Sequence, residues 1–166
     1  MVRVAGERRA RMIRREYVEI ARAYHLLSDL EPQFVARLLP IARDAIFNRD
    51  DVIFREGAAS KSLYLIVAGS VALETMIDGR PSHVQTLNAG DAMGWSAFFE
   101  SSKTHFQARA MTQVSAIAFG GGDLRAACDD DARLGYALAT QLLSLVTDRL
   151  DTLRMQLTEA RSRRAS

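Results

Sequence analysis

Residues 90–112 read GDAMGWSAFFESSKTHFQARAMT. The stretch opens on Gly90-Asp91 and a second glycine, Gly94. An apolar turn follows (Trp95, Ala97, Phe98, Phe99), then a polar loop over 100–104, then a strand-like run over 105–111. Glycine, one turn of helix, loop and strand is an order in which backbone N–H groups at a helix start can converge on an anion. Gly94, Trp95, Ser96, Ala97, Lys103, Thr104 and His105 are the candidate ligand-binding residues of this cassette.

Outward from the cassette the period is that of strands. Runs over 41–47, 52–55, 63–67, 71–74, 83–87 and 114–119 are β-prone and separated by turn residues. Asp78-Gly79 is a hairpin signal, and Ala68-Gly69-Ser70 allows a bend or bulge. Short strands recurring about every ten residues predict an antiparallel barrel or jelly roll.

Helices flank this β region. Residues 7–27 carry Met12, Ile13, Tyr17, Ile20, Tyr24 and Leu27 at helical spacing, with arginines and glutamates between. A short helix over 33–39 follows Pro32 and stops at Pro40. After Gly120-Gly121-Gly122 the chain turns helical again over 123–128, and Asp129-Asp130-Asp131 supplies caps and negative charge for a long helix over 132–160. The expected organisation is a basic N-terminal helix (1–29), a β-roll (30–128), a long C-terminal dimerisation or lid helix (129–160) and a basic tail (161–166).

The long helix carries two apolar stripes. Leu134, Leu138, Leu142 and Leu145 suit packing on the roll. Leu143, Val146, Leu150, Leu153 and Leu157 repeat at spacings of three and four, the a/d seam of a coiled coil. One helix with two surfaces to satisfy predicts a parallel homodimer through the second stripe. The competing reading is a single wide apolar face covered by the N-terminal helix of the same chain.

Length and composition bound the function. The 166 residues suffice for one domain with a real core, and the net charge is +2. Arginines crowd both ends: Arg3, Arg8, Arg9, Arg11, Arg14 and Arg15 at one, Arg161, Arg163 and Arg164 at the other. Such ends attract nucleic acid, anionic lipid or an acidic partner, or simply solubilise a helix face. Cys128 is the only cysteine, which rules out an intrachain disulfide and a cysteine metal cluster. His25, His83 and His105 lack HxH or ExxH spacing, so no metal site is expected. No apolar run reaches the roughly 20 residues of a membrane span, and no secretory signal is evident, so a cytoplasmic location is expected. No nucleophile elbow, P-loop or catalytic carboxylate pair is present, so no enzyme is expected.

Three blocks at matching spacing give the order of elements a likeness. Residues 51–57 (DVIFREG), 62–71 (SLYLIVAGSV) and 87–94 (LNAGDAMG) resemble the corresponding blocks of the cyclic nucleotide-binding domain family of the catabolite-activator type. The resemblance covers roughly 30–157. It implies an eight-stranded roll with a glycine-flanked phosphate-binding cassette, closed by a long helix, in a regulatory or sensor module.

The resemblance also exposes departures. In the family a glutamate after the cassette glycine takes the ribose 2′-hydroxyl, and an arginine on the following strand pairs with the cyclic phosphate. Here Trp95 stands at the first position, and Thr104, followed by His105, falls near the second; Lys103 is the nearest fixed cation. Arg109 lies further along the strand and does not inherit the phosphate role. A charge-assisted contact to phosphate contributes about 1.5–3 kcal/mol, so losing both partners implies a loss of roughly three decades in affinity. The long helix places Arg149 and Leu150 where the family often uses polar groups towards the base.

Trp95 has two readings: it stacks on a flat ligand ring, or it fills the vacated pocket itself. His105 is a ligand group or a partly exposed strand residue. No cofactor is assigned, the family suggesting only a cyclic nucleotide. The expected function is a non-catalytic dimeric regulatory or scaffold unit with weak, altered or lost cyclic nucleotide binding, acting on a protein partner yet to be identified. Two alternatives remain: a receptor for a cyclic nucleotide or other small anion through a non-standard cassette, and a basic, nucleic-acid-associated regulator without its own helix-turn-helix. The six residues after 160 are too few for that motif, which weighs against nucleic acid.

Overall fold

The computed structural model describes residues 24–164. Two short helices, α1 (His25–Ser28) and α2 (Pro32–Leu38), lead through a 3-10 turn (Leu39–Ile41) into the strands. Pro32 opens α2, where its missing N–H costs nothing, and Pro40 ends it. The strands are β1 (Ala42–Phe47), β2 (Val52–Phe54), β3 (Ser62–Ala68), β4 (Val71–Ile77), β5 (Arg80–Leu87), β6 (Ala92–Met93), β7 (Gln107–Ala110) and β8 (Val114–Gly120). A 3-10 turn (Trp95–Phe98) sits between β6 and β7. Two helices close the chain, α3 (Gly121–Asp130) and α4 (Ala132–Arg164). The expected helix over 7–27 lies outside the described residues apart from its last few.

All strand pairings are antiparallel, in two four-stranded sheets of order β1-β8-β3-β6 and β2-β7-β4-β5. This is the mainly β roll with flanking helices that the strand spacing predicts. At the β4–β5 hairpin, Asp78 and Gly79 both take positive φ (50° and 74°), which suits the twist of a two-residue turn between Ile77 and Arg80.

Two apolar cores explain the run SLYLIVA in β3. Ile66 joins Val71, Leu73, Leu87, Met93, Ala108, Ala110 and Val114 inside the roll. Leu63 and Leu65 point the other way, into a second core with Ile117, Phe119 and the helical residues Leu27, Phe34, Leu38, Leu124, Leu134, Leu138 and Leu142. A strand buried on both faces reads as a continuous apolar run rather than an alternating one.

The α4 helix starts where the aspartate run ends. The Asp131 carboxylate accepts hydrogen bonds from the backbone N–H groups of Arg133 (3.1 Å) and Leu134 (3.4 Å), satisfying donors that a helix start leaves open. Leu134, Leu138 and Leu142 are buried against the helix-side core and Leu145 packs beside them. The helix continues past Ala160 to Arg164, so part of the expected tail is helical. Among the described residues no helix is long and apolar enough to cross a membrane.

Candidate ligand-binding cassette

The cassette begins at Gly94, whose φ of 74° lies in the left-handed region and whose missing side chain is required. A Cβ there would collide with the Ser62 carbonyl of β3. The chain thus presses directly onto the sheet edge before the turn of Trp95, Ser96, Ala97 and Phe98. From below, the Arg125 guanidinium of α3 donates to the Ala97 carbonyl (2.8 Å).

Two hydroxyls of the cassette, those of Ser96 and Thr104, are bonded within the protein. The buried Ser96 hydroxyl donates to the Ser60 hydroxyl (2.8 Å). Thr104 is buried too, and its hydroxyl lies against two carbonyl oxygens, those of Arg55 and, at 3.3 Å, Ala58. Backbone bonds fix this orientation: Thr104 N donates to Ala58 O (2.9 Å) and Gly57 N to Thr104 O (2.8 Å). Lys103 forms a bridge with Ala59 and its side chain is exposed. The loop over 100–104 is therefore pinned to the loop after β2.

Trp95 occupies the middle of the arrangement. Its ring is half-buried against the helix-side core, stacks on His105 (5.2 Å between centroids, 18° between planes) and meets Phe99 edge-on at 6.4 Å. The space left is about 20 Å³, lined by Phe54, Leu73, Gly94, Ser96, Thr104 and Phe106 together with Trp95, His105 and Arg149. That is room for about one water. Gly94, Trp95, Ser96, Thr104 and His105 are thus brought together around one cavity, while Ala97 is buried beside it and the Lys103 side chain is not among its lining.

Arg109 is placed on the other face of its strand. Its guanidinium pairs with Glu74, and Gln107 Nε2 donates to the same carboxylate (2.9 Å). Burial pushes the Glu74 carboxyl up, but the hydrogen bonds from Arg109 and Gln107, the Arg109 charge and, further off, His83 outweigh it and hold the carboxyl below its ordinary range.

Arg149 is the residue that sequence reasoning noted but did not place in the site. It projects from α4 and donates to the Ala92 carbonyl of β6. Burial lowers its guanidinium to about 10, against a partial offset from the Asp91 charge. Its sequence signal is a charge at the next step of the stripe Leu134, Leu138, Leu142, Leu145. The hydroxyl partners of Ser96 and Thr104 left no such signal, because they come from the loop before β3 and the end of β2.

Comparison with known proteins agrees with this architecture. Residues 46–131, a little over half the chain, match the profile of the cyclic nucleotide-binding domain. A CRP-like cAMP-activated global transcriptional regulator of Mycobacterium tuberculosis is 26% identical over 133 residues, 80% of this chain. The chain spans 58% of that relative's length. A cyclic nucleotide-binding domain from Methylobacillus flagellatus shares the fold with a TM-score of 0.75 at 20% identity, over 89% of this chain and 84% of that one. The Thermus thermophilus catabolite activator protein shares it with a TM-score of 0.67 at 22% identity, over 82% of this chain and 62% of that one. With its two-sheet roll, its cassette between β6 and β7 and its long closing helix, the chain belongs to the cyclic nucleotide-binding domain family.

Proposed function

We propose that the chain is a non-catalytic regulatory module of this family in which the cassette is a closed structural element rather than a nucleotide receiver, and that it works as a homodimer through α4. One observation carries the first half: the Ser96 and Thr104 hydroxyls are bonded within the protein, beside a space of about 20 Å³. A cyclic nucleotide would have to displace the Trp95–His105 stack and would find neither a carboxylate at 95 nor a guanidinium at 104. The second half is supported by Leu143, Leu150 and Leu157, which are 67%, 56% and 64% exposed at seven-residue intervals on the side of α4 away from the buried leucines.

Calorimetric titration with cAMP and with cGMP tests the first half: dissociation constants weaker than about 1 mM are expected, against the micromolar values of a working receptor. Sedimentation at several concentrations tests the second, with a dimer expected. The alternative is a true receptor with a rearranged cassette. It is favoured by the cAMP-activated character of the Mycobacterium tuberculosis relative, and a micromolar constant would establish it in place of the closed cassette.

A further inference from the structure

Arg149 lines two cavities at once. One is the space of about 20 Å³ beneath Trp95; the other, of about 160 Å³, lies between α4 and the roll and is bounded by Leu87, Asp91, Gln141, Leu145 and Asp148 among others. The guanidinium stands between them and is anchored on Ala92, two residues before Gly94. Among the described residues no carboxylate lies within ion-pair distance of it. On either side of this contact the helix is also seated: Leu145 packs on the helix-side core, and Gln156 Nε2 donates to the Val84 carbonyl of β5 (3.3 Å). A partly buried guanidinium without an ion pair is costly unless hydrogen bonds satisfy its donors, and the Ala92 carbonyl supplies one.

We infer that Arg149 is a latch: reaching from α4 to the Ala92 carbonyl, it closes the cassette cavity and holds the helix on the roll, the place a bound ligand would take. This rests on the reading of the cassette as closed. The helix is then seated without any small molecule, and the state of the module is set by whatever competes for the guanidinium or pulls on α4. The Asp91 carboxylate, whose charge acts on the guanidinium without pairing with it, accepts from Asn88 N (2.8 Å).

Amide hydrogen exchange on the full chain, in wild type and Arg149→Met, tests the latch. Methionine keeps an apolar stem of similar length but removes the fork. Exchange over 146–157 is expected to become at least about tenfold faster in the variant while 134–142, held by buried leucines, stays unchanged. Unchanged or slower exchange over 146–157 would overturn the inference, since it would mean that the partly buried charge only burdens the helix. Acrylamide quenching of Trp95, the only tryptophan, gives a second readout in Arg149→Ala. The quenching constant is expected to rise at least about twofold as the two cavities join, and an unchanged constant would count against closure by Arg149. Neither measurement uses a nucleotide. A wild type that binds cAMP at micromolar concentration would sink the closed-cassette reading, whereas these two results decide the latch.

Discussion

Glu74 is 3% exposed, yet it sits on the face of β4 that turns away from the roll interior, because Arg109 and Gln107 cover it. Its carboxyl is held below the ordinary range, so the ionised form contributes stability that is present above the unfolded value and lost as pH falls through the folded one. Glu74→Gln is therefore expected to lower the urea midpoint at neutral pH, with the gap to wild type closing below about pH 4. The neutral-pH cost is about 1–3 kcal/mol, kept moderate because Arg109 still reaches solvent. At Thr104 the same logic runs through a neutral group. Thr104→Val removes the hydroxyl's bonds to the Arg55 and Ala58 carbonyls, which keep only their backbone partners, and a loss of about 0.5–1.5 kcal/mol in thermal or urea unfolding is expected, restored by Thr104→Ser. A threonine whose main task was ligand contact would leave stability nearly unchanged when replaced.

The α4 helix divides its labour by face. Leu138 is fully buried, and Leu138→Ala is expected to cost about 2–5 kcal/mol at any protein concentration. Leu143 is exposed, so Leu143→Asp with Leu150→Asp should leave the fold of the roll intact by circular dichroism and abolish the dimer in sedimentation, removing the concentration dependence of Tm. A double variant that stays dimeric would place the interface elsewhere. The buried stripe was legible in the sequence because helical spacing records which residues share a face, while Val146 and Leu153 of the second stripe are half-buried. The strands were legible for the same reason: β3 announces burial on both faces by its unbroken apolar run. The two-residue β6 was not, since its pairing depends on where the Gly90 turn delivers it against β3. The glycines, the tryptophan at 95 and the threonine at 104 marked the cassette and its departures from the family. What the sequence left open was whether Trp95 awaits a ring or fills the space. The proposal that it fills the space rests on packing between segments distant along the chain: Ser60 with Ser96, Arg55 with Thr104, and Arg149 across from α4.

At the scale of the whole molecule, one sheet serves two cores. The β1-β8-β3-β6 sheet shares its inner face with the roll and its outer face with α2, α3 and α4, so the long helix is seated through the same strand, β3, that supports Gly94. If Arg149 is the latch we infer, opening the cassette disturbs the seat of α4 and a shift of α4 moves Arg149. The closed cassette is the central claim, and Trp95 offers a direct view of it because its indole N–H gives a single resonance in a ¹H–¹⁵N spectrum. On titration with cAMP to millimolar concentration that resonance is predicted to stay in place. A saturable shift at micromolar cAMP would show a nucleotide entering beside Trp95 and would contradict the account.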